Sequence, residues 1–96
     1  MMVLITFDIL IANKKDQKRA ELIIKKCRNH GQRVQQSVFE CLIDPATLAV
    51  LKKELGDMID MTTDTVRFYS LGSNWKERID SIGADRMYDP EGPLII

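Results

Sequence analysis

An aspartate interrupts the most apolar stretch of the chain. In MVLITFDIL, residues 2–10, Val3, Leu4, Ile5 and Phe7 read as a strand buried on both faces, and Asp8 arrives before the run has ended. A carboxylate at the edge of a core is costly unless something compensates it. One compensation is structural, a loop cap or a pairing with a nearby lysine. The other is chemical. At the end of a central strand, where functional side chains often project, Asp8 is placed to hold a hard divalent cation. Mg²⁺ is usually held by one or two carboxylates together with waters and substrate phosphates. No second carboxylate lies near Asp8 in sequence, so a second copy of the chain would have to supply it. Such a site, with Mg²⁺ or Mn²⁺, would activate water and polarise a phosphate, which is phosphodiester hydrolysis.

The charge distribution bears on the same chemistry. The chain is formally neutral, which excludes a uniformly basic nucleic-acid binder, but it is polarised. Residues 14–33 carry a net +6, residues 34–96 carry −5, and Asp8 makes up the difference. Lys14, Lys15 and Lys18 follow directly after the Asp8 loop, where phosphate-backbone contacts need cations and no base readout. The ordinary alternative is a solvated helix face. Phe39, in the strand-like stretch between the helices, is either sheet packing or a dimer or substrate contact. His30, the only histidine, has no Cys or Ser partner at useful spacing, so nucleophilic catalysis is unsupported.

The elements that must position these residues are readable. A strand over residues 2–8 leads through a polar loop to a helix over about 17–30, capped by Asp16 and ended by Gly31. Ala20, Ile23, Ile24 and Cys27 form its apolar stripe, which turns the lysines outward. QRVQQSVFECLI is one long strand or two short ones bending near Gln36–Ser37. Asp44 and Pro45 open a second helix, with Leu48, Leu51, Leu55 and Met58 on its buried side. DTVRFYSL is a further strand, and a short last strand is expected around Arg78–Ile82. This order predicts an α+β, ferredoxin-like βαββαβ sandwich in a single domain, residues 1–96, with an extra C-terminal strand and an extended tail from about 85. Two helices on one sheet face leave the other bare, and a homodimer is expected to cover it.

At 45% apolar and 29% charged residues, the composition is that of an ordinary globular domain. No run approaches the roughly 20 apolar residues of a membrane span. The start lacks the basic region and cleavage site of a signal peptide, and Cys27 and Cys41 fit no metal spacing. These features predict a cytoplasmic protein with two reduced, buried thiols.

VLITFDI, GQRVQQSVFECLID, DTVRFYSLGSNWK and IGADRMYDPEGPLII together resemble the small CRISPR-associated endonuclease family, which accompanies the CRISPR integrase in spacer acquisition. The resemblance runs over essentially the whole chain, with GQRVQ-SVFEC and GPLI its most specific parts. The ending is most similar to the subfamily that travels with type I-C systems. The resemblance implies a ferredoxin-like homodimer whose metal-binding aspartate is Asp8. It further implies functional positions at Lys18, Arg19, Arg33 and Phe39, and two roles: Mg²⁺-dependent cleavage of DNA or RNA, and an adaptor that bridges integrase dimers on duplex DNA. Many members carry tyrosine before the aspartate. Phe7 stands there in this chain, which implies weak activity if that hydroxyl helps to hold metal or water. Two alternatives remain beside the nuclease: a catalytically silent DNA-binding scaffold, and a small-molecule regulatory module of the same fold.

Overall fold

β1, Met2–Asp8, becomes an interior strand because its odd-numbered side chains are apolar and bulky: Val3 and Ile5 are fully buried. The computed structural model describes residues 1–83. After β1 come α1 (Lys14–Arg28), β2 (Gln32–Gln35), β3 (Val38–Leu42), α2 (Pro45–Met58), β4 (Thr65–Gly72) and a 3₁₀ turn at Trp75–Arg78. The four strands form one sheet in the order β2-β3-β1-β4, with every neighbouring pair antiparallel. This is the expected ferredoxin-like βαββαβ sandwich.

Both helices lie on the face of Val3 and Ile5. Ile23 and Cys27 of α1, Phe39 and Cys41 of β3, and Leu51 and Leu55 of α2 close the core there, each 1% exposed or less. Full burial of such side chains is worth about 1.5–3 kcal/mol each. Burial pushes the Cys27 thiol up to about 12, with Cys41 adding to it, and pushes Cys41 up to about 11, so both thiols are protonated core residues.

β1 is most deeply buried on the face of Val3 and Ile5. On the other, Met2 is buried, Leu4 and Thr6 are half-buried and Asp8 is exposed. The register builds a helix-free surface from three strands: Leu4 lies between Glu40 and Tyr69, Thr6 between Val38 and Arg67, and Asp8 opposite Thr65.

Three boundaries differ from expectation. α1 begins at Lys14, because Asn13 rather than Asp16 is the cap. The Asp16 N–H donates to Asn13 Oδ1 (2.9 Å), and Asp16 Oδ2 accepts from the Ala12 N–H (2.9 Å). Asp16 thereby sits in the first turn, where the helix dipole favours a carboxylate. Gly31 is not a left-handed cap, since the helix ends through Asn29 in right-handed geometry. Gly31 is required by close approach: a Cβ there would overlap Cys41 Sγ and the Glu40 carbonyl oxygen. The strand expected around Arg78–Ile82 is absent among the described residues. Gly72, at φ +76°, turns the chain off the end of β4 into the 3₁₀ turn, and Ile82 is fully exposed.

Residues 32–43 resolve into a hairpin, with Gln36 and Ser37 between β2 and β3. α2 starts as expected, with Asp44 Oδ1 accepting from the Thr47 N–H (2.7 Å) and Pro45 in the first turn. The C-terminal strand and tail expected at about 85–96 lie outside the described residues. No described helix is long and apolar enough to cross a membrane.

Candidate functional site

Asp8 is the last residue of β1, and its ladder partner is Thr65. It is held from both sides. Toward β3, the Phe7 N–H donates to the Ser37 carbonyl (3.1 Å). Toward β4, the Leu10 N–H donates to Asp64 Oδ1 (3.1 Å). The Asp8 carboxylate is exposed, and among the described residues no hydrogen bond or ion pair engages it. The compensation expected for Asp8 is therefore not a partner among the described residues; there its carboxylate faces solvent.

Beside Asp8 is a cavity of about 170 Å³, lined by Phe7, Ile9, Ile24, Arg33, Gln36 and Ser37 as well as Asp8 itself. The fold thus brings together two positions singled out from sequence, Asp8 and Arg33, from different strands. Arg33 is partly engaged: its Nε donates to the Gln36 carbonyl (2.8 Å), and its guanidinium lies 5.9 Å from the Phe39 ring centre.

Lys14, Lys15 and Lys18 are exposed, and among the described residues no ion pair neutralises them. Lys26, on the flank of the same helix, is spent on Glu54 of α2 at 2.6 Å.

Two expected contacts are corrected. Arg19 does not stand with the outward lysines. Its Nε donates to Asp64 Oδ2 (2.8 Å), Nη1 to Asp16 Oδ1 (2.7 Å), and Nη2 to Asp64 Oδ1 (3.3 Å) and the Leu10 carbonyl (3.4 Å). All three guanidinium nitrogens are committed, and the side chain is 16% exposed. The Asp64 and Asp16 bonds stabilise the charged guanidinium further. Phe39 is not a surface contact either. It is completely buried on the helix side of the sheet, stacked on Phe7 with ring centres 6.2 Å apart.

Two residues near Asp8 escaped the sequence reading. Asp64 is the one buried charged residue among those described. Burial by itself would raise its pKa, but bonds from Arg19, the Asp60 and Leu10 N–H groups and the Thr63 hydroxyl outweigh that and hold it at about 2. Nothing in MTTDTV marks this aspartate as buried; only the fold does. Arg67 lies on the helix-free face in the row of Thr6, one pleat from Asp8, and donates to the Tyr69 hydroxyl (3.1 Å). The alternation Thr65, Arg67, Tyr69 put it on one side of its strand, but only the β1–β4 register makes that the side of Asp8.

The arrangement defines a class: small ferredoxin-like α+β proteins with an exposed carboxylate at the end of a central strand, engaged by none of the described residues, and a lysine-bearing helix start beside it. The family model for "CRISPR associated protein Cas2" matches residues 1–79. The chain is 48% identical over 96 residues to the "CRISPR-associated endoribonuclease Cas2" of Nitratidesulfovibrio vulgaris, covering 100% of this chain and 94% of that one. It is 46% identical over 95 residues to the "CRISPR-associated endonuclease Cas2" of Halalkalibacterium halodurans, covering 99% of each. The crystal structure of Streptococcus pyogenes Cas2 superposes with a TM-score of 0.76 at 44% identity, covering 86% of this chain and 100% of that one. The chain belongs to the Cas2 family.

Proposed function

We propose that this protein is a metal-dependent nuclease that hydrolyses phosphodiester bonds in nucleic acid, works as a homodimer, and serves in CRISPR spacer acquisition with the integrase. The observation that carries the reading is the Asp8 carboxylate: exposed, without a partner among the described residues, and held at a strand end beside the Arg33 cavity. A carboxylate that no described residue engages is available for a ligand. Two relatives named for endoribonuclease and endonuclease activity support the reaction class and allow either RNA or DNA as substrate.

The residues fit a hard divalent cation in part. Asp8 offers anionic oxygen, the donor Mg²⁺ and Mn²⁺ prefer. Among the described residues no group of three or more His, Cys, Asp or Glu side chains surrounds it. A second copy completing the site answers that shortage, and the helix-free face, with Leu42 and Tyr69 exposed, offers the surface for it. The cation, when bound, would polarise the phosphate and acidify a water. The chain's own part is to hold Asp8 in place and to bring the phosphate backbone to it through Lys14, Lys15 and Lys18. The two buried thiols fit a reducing, cytoplasmic setting.

The test is cleavage of plasmid DNA and single-stranded RNA by wild type and Asp8→Asn in Mg²⁺, Mn²⁺ or EDTA. Cleavage by wild type alone, stopped by EDTA, supports the nuclease and its metal at Asp8. Equal background from both proteins overturns it. The exposed lysines favour a second reading, an adaptor bridging integrase dimers on DNA without cutting. In that reading Asp8→Asn leaves spacer acquisition intact, while Lys14, Lys15 and Lys18 changed together to glutamate impair it.

A further inference from the structure

We propose that Asp64 is a positioning residue for Asp8: with Arg19 it clamps the backbone just beyond β1 and so fixes where the Asp8 carboxylate stands. The inference rests on the reading of Asp8 as the metal-holding residue.

Three segments converge on this one carboxylate, which is completely buried. Oδ1 accepts from the Leu10 N–H (3.1 Å), the Thr63 hydroxyl (3.1 Å) and Arg19 Nη2 (3.3 Å); Oδ2 accepts from Arg19 Nε (2.8 Å) and the Asp60 N–H (2.8 Å). The β1–β4 ladder ends at Asp8 opposite Thr65. Asp64 directly precedes Thr65, and Leu10 lies two residues beyond Asp8. The carboxylate therefore takes over where the ladder stops, acting as the acceptor that a further β4 carbonyl would have been.

Leu10 is held at both of its backbone polar groups. Its N–H goes to Asp64 and its carbonyl accepts from Arg19 Nη2. The same guanidinium reaches Asp16 in the first turn of α1, 2.7 Å away. One network thus joins the strand end bearing Asp8 to the helix start bearing Lys14, Lys15 and Lys18. Stability alone is a poor reason for such a network, because an apolar group of similar volume often serves a fold as well as a buried ion pair. An apolar group cannot hold the Leu10 N–H. Reactive geometry, in contrast, is lost with displacements of about 1 Å.

The test compares wild type, Asp64→Asn, Asp64→Ala and Arg19→Lys as full chains. Asp64→Asn keeps the shape and one acceptor oxygen, so it serves where Asp64→Ala does not fold. The readouts are NMR amide exchange at Leu10, Mn²⁺-induced broadening of amides around Asp8, and kcat and KM for cleavage. The expected result has four parts. Leu10 exchange accelerates beyond any change at Ile5 and Phe39. The Mn²⁺ midpoint rises about tenfold. kcat falls about 100-fold while KM moves little. Arg19→Lys, which keeps the charge but loses the fork, falls between. Unchanged Leu10 exchange, or an unchanged Mn²⁺ midpoint and kcat in a less stable variant, overturns the positioning role. Failure of the underlying reading looks different: no Mn²⁺ broadening around Asp8 in the wild type, which removes the metal assignment and this role with it.

Discussion

Arg33 ties the β2–β3 turn to the core: its Nε donates to the Gln36 carbonyl at 2.8 Å while its guanidinium lies 5.9 Å from the centre of the Phe39 ring. The same side chain lines the cavity beside Asp8. Arg33→Ala is expected to lose about 1–2 kcal/mol, from a charge-assisted hydrogen bond at a partly exposed site and a cation–π contact. Urea unfolding measures it. Arg33→Lys should recover little, because lysine lacks the planar fork that makes both contacts at once.

Asp8→Asn is expected to change stability by no more than about 0.5 kcal/mol, because the carboxylate is exposed and engaged by no described partner. Paired urea and cleavage measurements on the same preparation separate the two effects: activity lost, unfolding midpoint kept.

Changing Lys14, Lys15 and Lys18 together to glutamate should weaken nucleic-acid binding and lower the slope of log K against log salt by about 2–3 for duplex DNA. Arg19→Gln should behave in the opposite way. Its guanidinium is committed to Asp64, Asp16 and Leu10, so it should destabilise the fold and leave the salt slope nearly as it was. Binding isotherms at several salt concentrations, beside unfolding curves, distinguish the two.

Asp64 has an acid signature. Its carboxyl is held at about 2 in the folded chain against an ordinary value of 3.8. A depressed folded-state pKa means that the unfolded chain takes up the proton first. The stabilisation is therefore complete above about pH 4 and is lost as pH falls through about 2. Urea unfolding across this range should show the gap between wild type and Asp64→Asn narrowing as the solution is acidified. A gap independent of pH would refute the ionic role.

Gly31→Ala is expected to destabilise by about 1–3 kcal/mol through overpacking, since the new Cβ would meet the backbone and thiol of Cys41, whose Cα would stand 2.8 Å away. Thermal unfolding checks this. Gly56→Ala is the control: it adds the same methyl group, in open space on α2.

The fold was legible because its signals are periodic and local. The i, i+3, i+4, i+7 stripe of α1, the Asp44–Pro45 helix start and the alternation in β4 each state their structure within a few residues. The Asn13 cap and the Gly31 approach were missed because two cap-forming residues stand three apart and because glycine's reasons look alike in sequence. At the site, Asp8 stood out by contrast with its apolar neighbours. Asp64 did not, since burial across 45 residues of separation from Arg19 leaves no local mark. Arg19 and Lys18 are adjacent cations of the same helix, yet one is exposed and the other held by two carboxylates, Asp16 of its own helix and Asp64 brought to it by the α2–β4 loop.

The isolation of the Asp8 carboxylate has a consequence for how the chain can change over generations. A residue that no described partner engages carries almost no folding free energy, so a mutation there leaves the amount of folded protein unaltered. Selection for a stable chain cannot see Asp8; only selection for what its carboxylate does can retain it. Asp64 differs: losing it alone strands Arg19 and the Leu10 N–H, so a single change there costs folding as well as position. A lineage that ceased to need chemistry at the strand end would let the first aspartate drift at once and the second change only together with its partners, and would still possess an intact sandwich and its lysine-bearing helix.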